Sequence, residues 1–333
     1  MKALVTGASG FIGSALIEEL STLGFEVHAL MRKTSSPANL EGLKFNRVEG
    51  DICNPESLKP AVKGMNYVFH LAGLTAAPNR AAYLRANAEP LGSLAAAVAE
   101  AGGGLSRFVH VSSLAAGGPV TSLDPRTEEQ PDQPVSAYGE SKLEGERLLL
   151  KYKDQFPISI VRPPMVYGPR DKGVFVMIQT VARNLMPVLQ GSTEGGHKYY
   201  SAIHVKDLCR GIVQAAVVPP SKVRTGEKFY LAGEGIFTYV DLMSTIAERL
   251  DADPLRIRVP KFAIHGAAAA LSAVGALTRR TFPLNLDKVK EILPDYWICS
   301  NQKAKNLLGF APEFDLSSGM AHAIEWYKRQ RWI

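Results

Sequence analysis

Cysteine is scarce in this chain, and its few cysteines form no recognisable pattern. The 333 residues contain three of them, Cys53, Cys209 and Cys299, which are separated by long stretches of sequence. An odd number at such spacing fits neither a disulfide framework nor a zinc site. We therefore expect reduced cysteines, as in cytosolic proteins, and no bound metal ion.

The chain also lacks the sequence features of membrane insertion. Its start has no basic head followed by a long apolar stretch, which argues against a signal peptide. The most apolar later segment, residues 262–277, is rich in Ala and Gly and is shorter than the roughly 20 residues of a membrane span. These observations predict a cytoplasmic protein without stable membrane insertion.

Positive and negative residues are mixed along most of the sequence, without long runs of either sign. Lys and Arg number 38 against 32 Asp and Glu, so the net charge is +6. The tight basic run is Lys328, Arg329 and Arg331, whereas nucleic-acid binders usually cluster many cations. We expect no nucleic-acid partner, and a mildly basic surface that favours an anionic small molecule.

What the chain does contain is a regular alternation of strand and helix signals in its first half. Short apolar runs predict strands at residues 2–6, 25–31, 47–51, 67–71, 108–111 and 158–161. Apolar residues at helical spacing predict helices at residues 13–23, 81–101 and 140–153. Strands that alternate with helices form a mostly parallel sheet with right-handed crossovers. The predicted fold class is therefore α/β, a doubly wound Rossmann sheet.

The alternation weakens after about residue 165, where Pro and Gly become more frequent. We predict a nucleotide-binding Rossmann domain over residues 1–165 and a smaller C-terminal substrate-binding lobe over residues 166–333. Such a lobe would cover the carboxyl ends of the strands, where doubly wound sheets bind ligands. Elements within about 203–250, namely residues 203–218, 229–231 and 239–250, are predicted to return to the main sheet.

Three glycines follow the first predicted strand, in the segment Thr6-Gly7-Ala8-Ser9-Gly10-Phe11-Ile12-Gly13. Gly7 permits the tight turn, Gly10 lets the backbone approach a pyrophosphate, and Gly13 lets the helix pack on the strand. The helix N-terminus, around Ser9, Phe11 and Ile12, supplies N–H groups to the phosphates. Because the motif follows a strand and opens a helix, it predicts dinucleotide binding.

The end of the second predicted strand indicates which dinucleotide binds. A carboxylate there would hydrogen-bond the 2′-hydroxyl of NAD, but this chain has Arg32 and Lys33. Arg32 can hold a 2′-phosphate bidentately, and Lys33 adds charge. NADP(H) is therefore favoured, with NAD(H) as the alternative.

Two later strand ends predict further contacts with the cofactor. Asp51 and Ile52 follow the third strand, where they would flank the adenine. Leu71, Ala72 and Gly73 follow the fourth strand, where they would lie along the ribose and the phosphates.

A phenol and an ammonium, Tyr138 and Lys142, stand four residues apart and so share one face of a helix. A nearby ammonium lowers the pKa of a phenol and makes it a usable acid or base near neutral pH. The fifth strand ends in Ser112 and Ser113, where a hydroxyl can hydrogen-bond a substrate carbonyl or alcohol. We predict that Tyr138, Lys142 and Ser113 are catalytic. The cofactor site is predicted to include Ser112, Tyr138 and Lys142, the lysine through the nicotinamide ribose.

In this order, the motifs resemble those of the extended short-chain dehydrogenase/reductases, a family that includes NAD(P)-dependent sugar epimerases and dehydratases. The glycine segment matches the family fingerprint, Tyr138 and Lys142 match its catalytic motif, and Ser113 falls at its catalytic hydroxyl. The resemblance covers nearly the whole chain, because residues 203–207 and 305–312 resemble two later motifs.

One further stretch, Arg162-Pro163-Pro164-Met165-Val166-Tyr167-Gly168, is similar to the family segment whose backbone meets the nicotinamide. The resemblance thus implies that Pro164 and Val166 belong to the cofactor site. We also expect a homodimer with a small-molecule substrate.

Departures from the family pattern bear on the substrate. Sugar-nucleotide dehydratases usually place an acidic pair after the catalytic hydroxyl, where this chain has Leu114 and Ala115. Sugar-nucleotide epimerases often carry an arginine that grips the diphosphate, where this chain has Tyr199-Tyr200-Ser201. Lys198 could substitute for that arginine, but only as a point charge.

Other features are more similar to the 3β-hydroxysteroid dehydrogenase and dihydroflavonol reductase branches. These features are Arg32, the pair Tyr296-Trp297 and the apolar segment 262–277, a surface that suits a bulky apolar substrate. That segment has three alternative roles: plain packing against the Rossmann core, a dimer contact, or binding at a membrane surface with the help of Lys261, Arg279 and Arg280.

The sequence therefore predicts reversible interconversion of a secondary alcohol and its ketone on a hydrophobic or polycyclic small molecule. Hydride would pass to or from nicotinamide C4 while Tyr138 carries the proton. The alternatives are a nucleotide-sugar 4-epimerase with tightly held NAD, which would use the same tyrosine, and a redox sensor that binds NADP without chemistry.

Overall fold

The structure, a computed structural model, describes residues 1–278, 282 and 284–333. Its main element is a seven-stranded sheet in which every neighbouring pair runs parallel. With strands numbered along the chain, the order across the sheet is β11 (Glu227–Tyr230), β6 (Ile158–Arg162), β5 (Arg107–Val111), β4 (Tyr67–His70), β1 (Lys2–Thr6), β2 (Glu26–Met31) and β3 (Asn46–Glu49). The predicted Rossmann sheet is confirmed.

Helices cover both faces of this sheet, as a parallel sheet requires. Side chains alternate between the faces along each strand, so Ala3 and Val5 point into one apolar cluster and Leu4 into another. The helices of the first face are α1 (Phe11–Thr22), α8 (Val205–Val217) and α12 (Gln302–Leu308). Those of the second face are α2 (Pro55–Val62), α4 (Glu89–Ala101) and α6 (Ala137–Leu150). Two shorter helices, α3 (Arg80–Asn87) and α5 (Leu114–Gly117), pack beside α6.

Two helices differ from their predicted bounds. The helix predicted over residues 81–101 is interrupted at Ala88, between α3 and α4. The interruption follows from Pro90, which lacks an N–H and whose ring clashes with a helical carbonyl of the preceding turn. The helix predicted from residue 140 begins at Ala137, with Ser136 as its N-cap, so Tyr138 stands in the first turn of α6.

The smaller lobe has an apolar cluster of its own, which includes Ile178, Met243 and Ile324. Its strands are β7 (Met165–Tyr167), β8 (Leu185–Leu189), β9 (Tyr199–Tyr200), β10 (Ala202–His204), β12 (Phe237–Thr238), β13 (Leu255–Val259) and β14 (Tyr296–Trp297). Its helices are α7 (Gly173–Ala182), α9 (Tyr239–Leu250), α10 (Lys261–Thr278), α11 (Leu286–Ile292) and α13 (Leu316–Arg329).

The elements predicted to return to the main sheet divide between the two regions. β11 joins the sheet beside β6, and α8 packs on the first face. α9 packs instead on α7 and α13, since its buried side chains Leu242, Met243 and Ile246 belong to the cluster of the smaller lobe. The prediction for residues 239–250 is therefore wrong.

The apolar segment at residues 262–277 lies in α10, and most of this helix is exposed. Phe262 is 78% and Leu277 86% exposed, although Ala268 is buried. Core packing, one of the alternatives for this segment, is therefore wrong. Arg279 and Arg280, which the membrane-surface alternative invokes, lie outside the described residues. Within the described part of the chain, no helix combines the length and the apolar character needed to cross a membrane.

Candidate active site

The turn between β1 and α1 has the geometry that the glycine spacing predicts. Gly7 adopts φ +70°, a left-handed conformation that favours glycine, and a Cβ on it would lie 2.7 Å from Ala72 N. A Cβ on Gly13 would lie 2.1 Å from Gly7 O, so α1 can pack on the turn only because this residue is glycine. The packing of the turn therefore requires glycine at positions 7 and 13, whether or not a cofactor binds.

Gly10 differs because the described residues leave the space beside it open. It is exposed, and a Cβ on it would meet only Gly7 O, at 3.1 Å. It is the N-cap of α1 and has no side chain, so the first N–H groups of α1 receive no side-chain cap. An open face beside free N–H donors at a helix N-terminus fits the pyrophosphate of a dinucleotide.

The residues that flank Gly10 are held in place by packing and by one hydrogen bond. Ser9, Phe11 and Ile12 are half-buried, and the last two pack against the apolar cluster of the first face. Asn39 donates from Nδ2 to Ser9 O at 2.9 Å. The loop after β2 therefore supports the glycine turn directly.

The carboxyl end of β2 presents the cations predicted for a 2′-phosphate. Arg32 is exposed, and no carboxylate of the described residues lies within salt-bridge distance of it. Lys33 pairs with Glu49 at 3.3 Å, which partly neutralises its charge. Arg47, which the sequence reasoning missed, donates from Nη2 to Arg32 O at 2.9 Å. Two arginines therefore give this strand end the charge that favours an anionic group.

The end of β3 holds the residues predicted to flank the adenine. Asp51 and Ile52 are both half-buried. Asp51 Oδ1 accepts a hydrogen bond from Cys53 N at 2.9 Å, so the carboxylate shapes its own loop. Ile52 packs against the apolar cluster of the second face and leaves part of its side chain exposed.

The segment Leu71-Ala72-Gly73, after β4, lies between the glycine turn and α6. Ala72 N donates to Thr6 Oγ1 at 3.3 Å, which ties the segment to β1. A Cβ on Gly73 would stand 3.4 Å from Lys142 Nζ. The predicted cofactor segment and the predicted catalytic lysine are therefore neighbours.

Tyr138, Ser113 and Lys142 come together beyond the carboxyl end of β5. Ser113 is the N-cap of α5, where its Oγ accepts a hydrogen bond from Ala115 N at 3.1 Å. The Tyr138 ring lies beside that of Tyr83 from α3, with 6.0 Å between the ring centroids. Tyr138 and Lys142 lie one turn apart on α6, as their spacing predicts.

The pKa of Tyr138 is raised, not lowered as the sequence predicts. Burial of the phenol raises this pKa well above its usual value, the Glu291 carboxylate raises it further, and the Ser113 hydroxyl lowers it. Lys142 Nζ donates to the backbone carbonyl of Val111 at 3.1 Å. Tyr138 is therefore protonated near neutral pH, as a tyrosine of ordinary pKa also is, and the protonated phenol is the form that donates a proton.

Lys142 lies in surroundings that disfavour its charge. Burial lowers the pKa of Lys142 to about 8, against the attraction of the Glu146 carboxylate. The buried rings of His70 and His110 stack nearby, with 5.3 Å between their centroids. Burial, with the Lys142 ammonium, lowers the pKa of His70 to about 3, so this ring is neutral. Both histidines are therefore part of the core beside the lysine.

A buried ion network, which the sequence reasoning missed, fixes α6 on the sheet. Arg162 Nη2 donates to Glu146 Oε2 at 2.6 Å and to Asp132 Oδ2 at 3.0 Å. Ser112 Oγ donates to Glu146 Oε1 at 2.5 Å, so the cofactor role predicted for Ser112 finds no support from its side chain. Glu146 lies one turn after Lys142, but nothing in the sequence indicates its partners.

The segment after β6 continues into the smaller lobe. Pro164 is half-buried between β6 and β7, and Val166 pairs with Ile203 where β7 runs parallel to β10. Leu114 N donates to Pro163 O at 2.8 Å, which brings this segment to the start of α5 beside Ser113. Pro164 and Val166 therefore lie on the side of the site where the two regions meet.

Lys198, the cation considered for gripping a diphosphate, is turned into the protein. It is 2% exposed, and its Nζ donates to Leu293 O at 2.7 Å, to Pro294 O at 2.9 Å and to Asp295 Oδ1 at 2.9 Å. These acceptors use the hydrogen-bonding capacity of the ammonium. Lys198 therefore braces the loop before β14 and offers no charge to a ligand.

Comparisons with known proteins extend these observations. The sequence profile of the NAD dependent epimerase/dehydratase family matches residues 3–230. The ceramide reductase of Caulobacter vibrioides is 30% identical over 330 residues, which cover 99% of this chain and 95% of the relative. The 4-hydroxy-2-methyl-3-oxo-4-farnesyl-3,4-dihydroquinoline-1-oxide ketoreductase of Stigmatella aurantiaca is 28% identical and is matched over 85% of this chain and 82% of its own.

Among solved structures, the UDP-glucose 4-epimerase of Thermotoga maritima superposes with a TM-score of 0.80. It is 22% identical, and the match covers 99% of this chain and all of that one, so the likeness concerns the fold. The family profile spans more than half of this chain and includes Tyr138, Lys142 and the glycine turn at residues 7–13, called the glycine cradle below. The chain therefore belongs to the NAD dependent epimerase/dehydratase family and is a nicotinamide-dependent enzyme of the extended short-chain dehydrogenase/reductase type.

Proposed function

We propose that this enzyme interconverts a secondary alcohol and its ketone on a hydrophobic or polycyclic small molecule, with NADP(H) favoured over NAD(H). The observation that carries this proposal is the burial of Lys198, whose ammonium is used on Leu293, Pro294 and Asp295. A sugar nucleotide presents a diphosphate that needs cations, and the residue considered for that task is committed elsewhere. An apolar ketone has no such requirement.

The surroundings of Tyr138 also support an apolar substrate. The Tyr83 ring stands beside the phenol, and the Tyr83 hydroxyl donates to Thr75 O at 3.3 Å. Leu74, next in the chain to Thr75, is 50% exposed. Leu114 and Ala115 follow Ser113 where a dehydratase would carry its acidic pair, and both are buried. Aromatic and aliphatic walls with a few placed polar groups are typical of sites for apolar ligands.

The relatives point in the same direction through their names. Ceramide and a farnesylated quinoline are both molecules with long apolar chains, and the two relatives are a reductase and a ketoreductase. The exposed apolar helix α10 offers a further surface for such a molecule.

Each member of the site has a defined task in this proposal. When bound, the nicotinamide cofactor supplies the hydride for reduction or accepts it in the reverse direction. Tyr138 donates its phenolic proton to the carbonyl oxygen of the substrate, and Ser113 donates a hydrogen bond to the same oxygen. Lys142 holds the ribose of the cofactor through its ammonium.

The test is a substrate panel with NADPH and NADH, containing a long-chain ketone, a steroid ketone, a flavonoid ketone and a UDP-sugar. We expect oxidation of NADPH with an apolar ketone, loss of turnover in Tyr138→Phe, and full turnover in the matched control Tyr152→Phe, which lies in the turn after α6. Epimerisation of the UDP-sugar without turnover of any ketone would overturn the proposal. Unchanged turnover in Tyr138→Phe would overturn the assignment of the proton donor.

A further inference from the structure

The first turn of α6, which carries Tyr138, is held by carboxylates from the smaller lobe. Asp287, on α11, accepts from Ala137 N through Oδ1 at 2.8 Å and from Tyr138 N through Oδ2 at 3.4 Å. The first N–H groups of a helix have no partner within the helix, so each needs an acceptor from elsewhere. Asp287 supplies that acceptor for two of them from a part of the chain 150 residues away.

A second carboxylate of α11 reaches the N-cap of the same helix. Ser136 Oγ accepts from Gly139 N at 3.0 Å and donates to Glu291 Oε1 at 2.6 Å. Lys288 Nζ contacts the other oxygen of Glu291 at 2.5 Å. The cap of α6 is therefore completed by Glu291, whose orientation is set in turn by Lys288.

The helix α11 is itself anchored within the smaller lobe. Asn285 caps it by accepting from Lys288 N at 2.9 Å, and Trp297 Nε1 donates to Glu291 O at 2.6 Å. Leu286 N donates to Ser272 Oγ at 3.2 Å, which joins α11 to the exposed helix α10. Displacement of the smaller lobe would therefore displace both carboxylates together.

Carboxylates at a helix N-terminus are favoured by the partial positive charge of the unpaired N–H groups and by charge-assisted hydrogen bonds. A helix usually obtains such a cap from its own adjacent residues. Here, part of the cap comes from the lobe that is expected to bind the substrate. The position of the Tyr138 phenol therefore depends on how that lobe sits.

We propose that Asp287 and Glu291 are positioning residues, which couple the seating of the substrate lobe to the placement of Tyr138 for proton transfer. The inference rests on the proposed function, because it requires Tyr138 to be the proton donor. It assigns no contact with the substrate to either carboxylate. Both act through the first turn of α6.

The electrostatics of the phenol give Glu291 an effect that a purely structural cap would not have. The groups around Tyr138 are Asp287 and Glu291 from α11, Tyr83 from α3, Ser113 from α5 and Lys142 from its own helix. After burial, the Glu291 carboxylate is the strongest cause that raises the pKa of Tyr138. Neutral glutamine at position 291 removes this charge, so the pKa of the phenol falls.

The experiment measures kcat and KM of ketone reduction for Asp287→Asn, Glu291→Gln, Glu291→Asp and Lys288→Met. The matched control is Glu248→Gln, an exposed carboxylate on α9 of the same lobe. We expect kcat to fall about tenfold in Asp287→Asn and Glu291→Gln, the loss that ~1.4 kcal/mol of positioning would cause, with KM for the cofactor unchanged. The control should match the unmodified enzyme.

The response to the conservative variant carries the specific readout. Glu291→Asp keeps a carboxylate for Ser136 Oγ, so we expect it to restore most of kcat, whereas Glu291→Gln keeps the length of the side chain but not its charge. Lys288→Met, which leaves the Glu291 carboxylate without its partner, should also lower kcat while KM for the cofactor stays unchanged. That variant also tests the coupling if Glu291→Gln does not fold.

Two failures can be told apart. If Tyr138→Phe retains turnover, the proposed function fails. If Tyr138→Phe is inactive but the Asp287 and Glu291 variants keep kcat within twofold, the coupling is overturned while the proposed function stands.

Discussion

Substituting Gly10 by alanine separates cofactor binding from stability, because Gly10 is the glycine of the cradle that the fold itself does not require. Its backbone has φ −77° and ψ 175°, which any residue can adopt. A Cβ there would meet only Gly7 O, at 3.1 Å, within the described residues. The new methyl group would instead occupy the open face where the pyrophosphate is expected.

The magnitudes follow from these contacts. Alanine at a compatible backbone conformation gains roughly 0.4–1 kcal/mol from the reduced entropy of the unfolded chain. The close contact with Gly7 O offsets this gain, so the free energy of unfolding should change by less than about 1 kcal/mol. Binding of NADP(H) should weaken at least tenfold, which corresponds to ~1.4 kcal/mol. In Gly13→Ala, the Cβ would lie 2.1 Å from Gly7 O, so this control should lose about 3 kcal/mol of stability or more.

The assay is urea unfolding of the protein freed of nucleotide, together with titration of NADPH followed by its fluorescence. The expected result is normal stability with weak binding in Gly10→Ala, and low stability in Gly13→Ala. Normal NADPH affinity in a stable Gly10→Ala protein would show that the pyrophosphate does not bind at this turn.

Three further outcomes test other parts of the site. In Arg32→Ala, the Kd of NADP should rise about tenfold and that of NAD should hardly change, as measured by titration; equal affinities in the unmodified enzyme would contradict the preference for NADP. In Lys142→Met, turnover should be lost and the free energy of unfolding at pH 7 should rise. The reason is that the fall in the Lys142 pKa from 10.5 to about 8 costs the folded protein up to roughly 3 kcal/mol below pH 8, a cost that fades as the pH rises to 10.5. A variant that is less stable than the parent in urea unfolding at pH 7 would refute this. In Arg162→Met, urea unfolding should reveal a loss of about 3–5 kcal/mol because the carboxylates of the buried network lose their partner, whereas Lys33→Met, which breaks an exposed ion pair, should stay within about 0.5 kcal/mol.

The sequence predicted those parts of the structure that depend on contacts between residues close together in the chain. The glycine turn needs only its own segment, because Gly7 and Gly13 are required by contacts within the β1–α1 unit and the loop after β4. The spacing of Tyr138 and Lys142 likewise defines a shared helix face wherever that helix lies.

Contacts between distant segments were not predictable in this way. The ion network around Arg162 joins β6 to α6 and to a loop, and no sequence spacing relates these pieces. The caps that Asp287 and Glu291 provide for α6 have the same character. The predicted fall in the pKa of Tyr138 was wrong because burial and Glu291 outweigh any effect of Lys142. The homodimer and the cytoplasmic location stay predictions.

The central claim is net hydride transfer to an apolar ketone, and isotope transfer tests it most directly. NADPH carrying deuterium at its transferable position is incubated with the enzyme and the active ketone, and the product is analysed by mass spectrometry. We expect one deuterium at the new carbinol carbon for each NADP⁺ formed, and none with Tyr138→Phe. Epimerisation of a UDP-sugar with no net oxidation of NADPH, together with no deuterium in any alcohol formed from a ketone, would contradict the account.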